Sequence, residues 1–300
     1  MVQSPITGSP ATLVMKMPVE RIIEEYRRDY NMSVERHFKG LDEIEVYKCP
    51  DTGYRFFYPF SVIGDEQLYD ELQQFPWYYL DWKWEYDKAP AFIEKGSKVL
   101  EVGSGEGKYL KYLKDNLNCD ATGLELNLQA VNKGKANGLD LRHELVQDHA
   151  ATHPNTYDVV YFFQVLEHIS DIKGFVEAAV ACLKPGGKLL IAVPNNDPYF
   201  FKSIKHYALN IPPHHMGWWN TESLTAIAPY FGLKAEQVFY DPITLMAIPG
   251  FTNIYIREKS YNNEGKRKMM RMMKPFLWAK FILQKSSIPG QHIMAVYTKQ

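Results

Sequence analysis

The chain predicts an α/β fold: a largely parallel sheet, doubly wound, with helices on both faces. Three observations predict it. Strand-length apolar runs alternate with helix-length segments from residue 98 onward. A glycine-rich bend, Gly103-Ser104-Gly105-Glu106-Gly107, joins the first of these runs to a helix-like segment, and KPGG at 184–187 stops another helix before a further apolar run. Strand–helix alternation is the pattern of a parallel sheet covered on both sides.

The elements follow from local pattern. PVERIIEEYRRDY at 18–30 has apolar residues at helical spacing behind a proline, which predicts a short amphipathic helix. YRFFYPF at 54–60 reads as a strand ending at proline, and 65–88 as an aromatic-rich helix. Strand 98–102 leads to helix 105–117, strand 119–125, helix 127–137 and strand 141–146. Strand 157–163, helix 172–183 and strand 187–193 complete the alternation. TESLTAIAPYF at 221–231 reads as a helix capped by Asn220 or Thr221. GLKAEQVFY opens a sixth strand and GQHIMAVYTK forms the last.

Composition bounds the function. Lys plus Arg total 34 against 35 Asp plus Glu, a formal net charge of −1, which argues against a general polyanion binder and against nucleic acid as partner. Hydrophobic content of 46% supports a sizeable core. Three scattered cysteines suggest no disulfide framework and fit a reducing cytoplasm. No charged-then-apolar leader and no run of membrane-spanning length is read in the chain, so a cytoplasmic location is expected.

The Gly-rich bend carries the functional signal. Without Cβ atoms, the backbone turns sharply and its N–H groups approach a ligand at a helix N-terminus. The spacing is G-x-G-x-G, whereas a dinucleotide site favours G-x-G-x-x-G. Glu101 precedes the bend, where a carboxylate repels a pyrophosphate and attracts an ammonium. Glu125 in GLELN ends the second strand, placed to accept from both ribose hydroxyls. A ribose, an ammonium and no phosphate describe S-adenosylmethionine.

With these motifs the sequence resembles the class I S-adenosylmethionine-dependent methyltransferases over about 75–240, with a last strand near 291–298. The resemblance implies a Rossmann-like, seven-stranded sheet whose last strand is antiparallel. It implies that Glu101, Gly103 and Gly105 hold the methionine part and Glu125 the ribose, with Ser104 and Leu126 also on the cofactor. Asp148 in LVQDHA would meet the adenine amino group with His149 beside it, and Gln164 would close the cofactor side of the loop after the fourth strand. PPHHMGWWNTESL resembles the acceptor-side loop of a small-molecule and sugar methyltransferase subset. Relatives in that subset often open with two C-P-x-C-G-like knuckles around one zinc. Here SPITGS at 4–9 and CPDTGY at 49–54 keep only Cys49, with Ser4, Thr7 and Thr52 at the other positions, so a degenerate, metal-free ribbon is expected.

Methyl transfer from a sulfonium is an in-line displacement, in which the enzyme mainly aligns acceptor and methyl. A hydroxyl acceptor also needs a base, and the candidates are His168, His214 and His215, with Glu167 as an alternative. Because 214 and 215 are adjacent, one histidine is expected inward and one structural. No metal site is expected, since His149 has no second ligand at helical spacing. The expected acceptor is a small molecule or glycan unit. Rival readings are a nicotinamide-dependent oxidoreductase, disfavoured by the glycine spacing, and a non-catalytic cofactor-binding protein.

The expected organisation is an N-terminal segment at 1–62, a cofactor-binding domain at 63–243 and 291–300, and an insertion at 244–290. Within the insertion, 266–285 is basic and apolar together. It reads either as a peripheral membrane or acidic-partner contact, including for a lipid-linked acceptor, or as a helical lid with solvated lysines. The sequence leaves the oligomeric state open.

Overall fold

The structure is a computed structural model that describes residues 1–75, 78, 82–196, 208–260, 263–285 and 288–300. Two sheets organise it. A seven-stranded sheet is built from β4 (Lys98–Val102), β5 (Asp120–Leu124), β6 (Asp140–Arg142), β7 (Tyr157–Phe163), β8 (Leu183–Pro194), β10 (Leu233–Pro242) and β11 (Pro289–Lys299). Its order is β10-β11-β8-β7-β4-β5-β6. The pairs β4–β5, β4–β7, β5–β6 and β7–β8 are parallel. β11 runs antiparallel to both β8 and β10. This is the Rossmann-like arrangement with an antiparallel last strand.

The smaller sheet has the order β1-β2-β3-β9, from β1 (Thr12–Pro18), β2 (Glu43–Lys48), β3 (Arg55–Tyr58) and β9 (Gly217–Trp218). Its fourth strand comes from a loop some 160 residues downstream: Arg55 pairs Trp218 and Phe56 pairs Gly217. The N-terminal segment is therefore stitched to the loop that carries His214 and His215. Tyr54 stacks on Trp219 at 4.0 Å between ring centroids, and Phe57 packs edge-on against Trp218. Both indoles are fully buried, so they pack the loop against the N-terminal segment and line no open acceptor wall.

Burial follows the strand pattern. β7 and β8 are apolar along most of their length because helices cover both faces of the large sheet, which splits the core into two clusters, one around Leu100, Val160 and Ile191 and one around Val99, Tyr161 and Leu190. A third cluster, with Ile22, Tyr26, Val46 and Leu68, lies under the small sheet.

Several boundaries differ from the sequence expectation. The helix after the first bend begins at Lys108, because Gly107 at φ 77° is still left-handed. β6 ends at Arg142, and residues 146–152 coil into a helix. KPGG bends without ending the strand, so β8 runs from Leu183 with a register shift against β7. The helix at 221 ends at Ala226 and passes into a 3₁₀ turn, where Pro229 removes a donor. Asn220 caps it, with Ser223 returning the bond. The strands β1 and β2 were not read from the sequence.

The two N-terminal turns face each other. The Thr7 hydroxyl lies 3.6 Å from Cys49 Sγ and donates to Asp51 at 2.8 Å. Burial raises the Cys49 thiol, but hydrogen bonds from Ser4, Thr52 and Thr7 outweigh it and lower its pKa.

The segment 244–290 carries three helices, Ile248–Lys259, Glu264–Met272 and Lys274–Leu283. Phe281 docks the last against Phe251 and Tyr255. Among the described residues no helix is long and apolar enough to cross a membrane. Of the aromatic segment at 75–86, residues 76, 77 and 79–81 lie outside the described residues.

Candidate active site

The carboxyl ends of β4, β5, β7 and β8 open on one edge of the sheet, the edge at which doubly wound folds bind ligands. At the end of β4 the bend at 103–107 folds back over β5. Gly103 N–H and Ser104 N–H both donate to the Leu124 carbonyl, at 2.8 and 3.0 Å. Gly103 sits at φ 77°, and a Cβ there would fall 2.5 Å from Val165 Cγ2. Only glycine allows this left-handed turn to pass under the loop after β7.

Glu125 directly follows β5 and latches the bend. Its Oε2 accepts from Gly105 N–H and its Oε1 from Asn127 N–H, each at 2.8 Å. Each carboxylate oxygen keeps further acceptor capacity for a ligand hydroxyl. Leu126 and Leu145 stand exposed beyond the ends of the neighbouring strands β5 and β6. The His143 ring donates to the Leu126 carbonyl across that gap at 2.9 Å.

Asp148 and His149 fall elsewhere than the sequence reading put them. Asp148 is exposed on the helix Val146–Thr152, one turn beyond the strand end. The fully buried His149 ring binds Glu144 Oε1 at 2.6 Å and the Tyr157 hydroxyl at 2.8 Å, so both its nitrogens are spent inside the fold. The early end of β6 is the cause: His143, Glu144 and Leu145 take the strand-end positions.

Glu101 is 3% exposed and accepts from the Tyr161 hydroxyl at 3.3 Å. Burial pushes its pKa up to about 8, against the pull of the Lys83 ammonium. That same Lys83 charge is felt by Glu167 and His168. The Lys83 ammonium itself lies 5.8 Å from the centroid of the Tyr86 ring. Gln164, held at φ 60° at the end of β7, donates through Nε2 to the buried Glu85 at 3.0 Å. A left-handed non-glycine residue is a strained one, and such strain collects at functional positions.

The three histidines come together. One ring nitrogen of each of His168, His214 and His215 lies within 4.8 Å of the other two. The rings of His214 and His215 stack at 4.6 Å and 20°, and His168 meets them edge-on at 4.6 and 4.9 Å. Both adjacent residues thus point into one cluster, contrary to the one-in, one-out expectation. The loop is a compact turn with a cis Pro212–Pro213 peptide, and strand alternation does not apply to it.

Each Nδ1 faces an acceptor: the His214 carbonyl at 2.7 Å from His168, the Leu209 carbonyl at 2.8 Å from His214, and Asn210 Oδ1 at 3.0 Å from His215. Asn210 is oriented in turn by donating to Asn196 Oδ1 at 2.8 Å. A carbonyl can only accept, so the ring protons sit on Nδ1 and the lone pairs on Nε2. Burial lowers all three pKa values, that of His168 to about 4, so the rings are neutral. The Tyr78 hydroxyl donates to Nε2 of His214 at 3.0 Å.

Glu167 lies beside them. It is 1% exposed, its Oε1 is 4.0 Å from His168 Nε2, and its Oε2 has no hydrogen-bond partner among the described residues. Burial raises its pKa to about 8. The sequence reading passed over Lys83, Glu85, Asn196 and Asn210. The only signal for the first two was three charges spaced among aromatics in WKWEYD.

Comparison with known proteins agrees with this fold. A family model described as a methyltransferase domain matches residues 77–238, just over half of the chain. The ubiquinone biosynthesis O-methyltransferase of Thiobacillus denitrificans (strain ATCC 25259 / T1) is 28% identical over 221 residues, 68% of this chain and 90% of that protein. The enzyme of the same description from Klebsiella pneumoniae (strain 342) is 33% identical over 108 residues, 34% of this chain, so the match spans less than half, 44%, of that relative's length. The structure of a SAM dependent methyltransferase from Archaeoglobus fulgidus superposes with a TM-score of 0.50 at 15% identity, covering 72% of this chain and 91% of that one, which speaks to the fold.

Proposed function

The chain belongs to the class I S-adenosylmethionine-dependent methyltransferases, with S-adenosylmethionine as its cofactor and transfer of the sulfonium methyl as its chemistry, and from that premise we propose that it methylates a hydroxyl oxygen of a small acceptor. The observation that carries this is the cluster of neutral histidines at the mouth of the sheet. A hydroxyl must lose its proton as it attacks, and buried neutral imidazoles that spend Nδ1 on fixed acceptors keep Nε2 for that proton, beside Glu167 just beyond the end of β7. The likeness to O-methyltransferases of ubiquinone biosynthesis favours a small-molecule hydroxyl over a glycan unit. A methyl-transfer screen over phenols, quinone precursors and sugar nucleotides tests the assignment. Turnover on amines alone would overturn it.

On the cofactor side, we read Glu101 as the partner of the methionine ammonium, with Gly103, Ser104 and Gly105 beneath the chain. Glu125 takes the ribose, and Leu126 with Leu145 forms the apolar edge for the adenine. Gln164 positions Glu85. Asp148 and His149 are left with the roles of surface acid and helix anchor.

We read 1–62 as an N-terminal segment and 244–290 as an insertion, with the sheet of the first completed by β9 of the loop at 217–218. Its facing turns are read as a degenerate ribbon held by hydroxyl–thiol contacts. The buried, unpaired Cys49, Cys119 and Cys182 fit a reducing cytoplasm.

A membrane-surface role for 266–285 keeps a specific support. Met272, Phe276 and Leu283 are 77, 76 and 85% exposed, and they share their helices with Arg271, Lys274 and Lys280. Flotation with phosphatidylglycerol vesicles tests it: equal recovery of the intact chain and a Phe276→Asp/Leu283→Asp variant would end the reading.

A further inference from the structure

The histidine cluster has the construction of a metal site. We propose that His168, His214 and His215 together bind one divalent transition metal ion, Zn²⁺ by preference, through their Nε2 atoms. Three features point there.

The first is the ligand set. Three imidazoles with an open fourth position are a known zinc arrangement, and imidazole nitrogen suits zinc better than it suits magnesium or calcium. One ring nitrogen from each of the three lies within 4.8 Å of the other two. A tetrahedral ion with bonds of about 2.1 Å needs separations of about 3.4 Å, so small rotations about the Nδ1 anchors close the set.

The second is the outer shell. Every ring gives its Nδ1–H to a fixed acceptor, two backbone carbonyls and an amide oxygen that Asn196 itself holds in place. Metal-ligating histidines are oriented in this way, which fixes the tautomer and points the Nε2 lone pair outward. A single catalytic base would need one such anchor, and here there are three, converging.

The third is the neighbouring carboxylate. Glu167 is buried at 1% exposure, 4.0 Å from His168, with its Oε2 unpartnered among the described residues. A buried carboxylate oxygen without a donor is costly, and a cation, or an oxygen bound to one, would satisfy it. The Tyr78 hydroxyl now caps Nε2 of His214 and must yield that lone pair.

The ion's role rests on the O-methylation reading above, with Glu167 replacing the imidazoles as proton acceptor once their lone pairs are on the ion. With the ion bound, its charge would hold Glu167 as the carboxylate, and an acceptor hydroxyl at the open position would pass its proton to that carboxylate. The resulting alkoxide pair forms the new C–O bond as the C–S bond breaks, with its electrons going to sulfur. The products are a methyl ether and S-adenosylhomocysteine, and Glu167 returns its proton to solvent. A Lewis acid at that oxygen lowers its pKa directly.

The test uses the full chain. After treatment with chelator, it is titrated calorimetrically with ZnCl₂ and, separately, with S-adenosylmethionine, and Co²⁺ loading is followed by visible absorption. The expected result is one Zn²⁺ per chain and a four-coordinate Co²⁺ spectrum. Both persist in Cys49→Ser, which alters the only cysteine of the N-terminal turns. His214→Ala and His215→Ala weaken Zn²⁺ at least tenfold while S-adenosylmethionine affinity stays within twofold, which shows that the variants are folded. The proposal is overturned by no Zn²⁺ uptake in a wild-type chain that binds S-adenosylmethionine, or by uptake that Cys49→Ser abolishes and the histidine variants keep. Zn²⁺ bound at the histidines with no methyl transferred to any hydroxyl acceptor would sustain the site and remove the O-methylation reading.

Discussion

Glu101 makes cofactor binding a proton-coupled event. Its carboxyl is buried at the end of β4, where loss of hydration raises its pKa from the usual 4.5 to about 8. At pH 7 that group is about nine-tenths protonated in the empty protein. Pairing with a ligand ammonium requires the carboxylate, so binding at pH 7 releases about 0.9 proton. The cost of that ionisation falls by about 2 kcal/mol between pH 6 and pH 7.5, so affinity should rise by roughly an order of magnitude, offset only at the upper end by titration of the ligand's own α-ammonium near pH 8. Folding carries the same signature. The folded pKa exceeds the unfolded one, so the empty protein loses stability as pH rises from about 4.5 to about 8, by about 3 kcal/mol at pH 7. Glu167, raised to the same value by burial, adds a slope of the same sign. Calorimetric titration with S-adenosylmethionine in phosphate and in Tris reads the released protons directly. Glu101→Gln should bind more weakly, with no proton release and a flat affinity between pH 6 and 7.5. A wild-type affinity that does not change over that range, with no buffer-dependent heat, would refute the placement of the ammonium at Glu101.

Further outcomes follow from the same geometry. Glu125→Ala removes acceptors for the ligand and for Gly105 and Asn127 N–H, so S-adenosylmethionine should bind more weakly by roughly 1–3 kcal/mol in titration; unchanged affinity would remove the ribose assignment. Gly103→Ala places a methyl 2.5 Å from Val165 Cγ2 at a left-handed φ, so urea unfolding should show a loss of about 1–3 kcal/mol, of which Val165→Ala restores part; a neutral result counts against the close approach. His168→Ala, His214→Ala and His215→Ala should each lower turnover by roughly 10²-fold or more with cofactor affinity intact, because all three rings meet at one point; kinetics in which only one variant is impaired would return the one-in, one-out picture.

The cofactor half was legible in the sequence because its signals are local. A strand, a glycine-rich bend and a strand-end acid are contiguous, and the geometry that joins them is a few residues long: Glu125 reaches back only to Gly105. Periodicity likewise gave the parallel strands, since apolar runs buried on two faces need no distant partner to be recognised. The errors lie where competition between neighbours is close, as at β6, where helix formation at Val146 shortened the strand and moved Asp148 and His149 off the edge. The acceptor half could not be read in this way. That His214 and His215 both join His168 depends on a turn held by long-range bonds, among them Met216 N–H to the Glu167 carbonyl, Gly64 N–H to that of Pro213, and Trp218 packed on Phe57. The amino-acid order supplied three histidines and a glycine bend. Only the packing of one sheet against the other brought a ring nitrogen of each histidine within 4.8 Å of the other two and buried Glu167 beside them, because burial and convergence are properties of surfaces that meet across more than a hundred residues of chain.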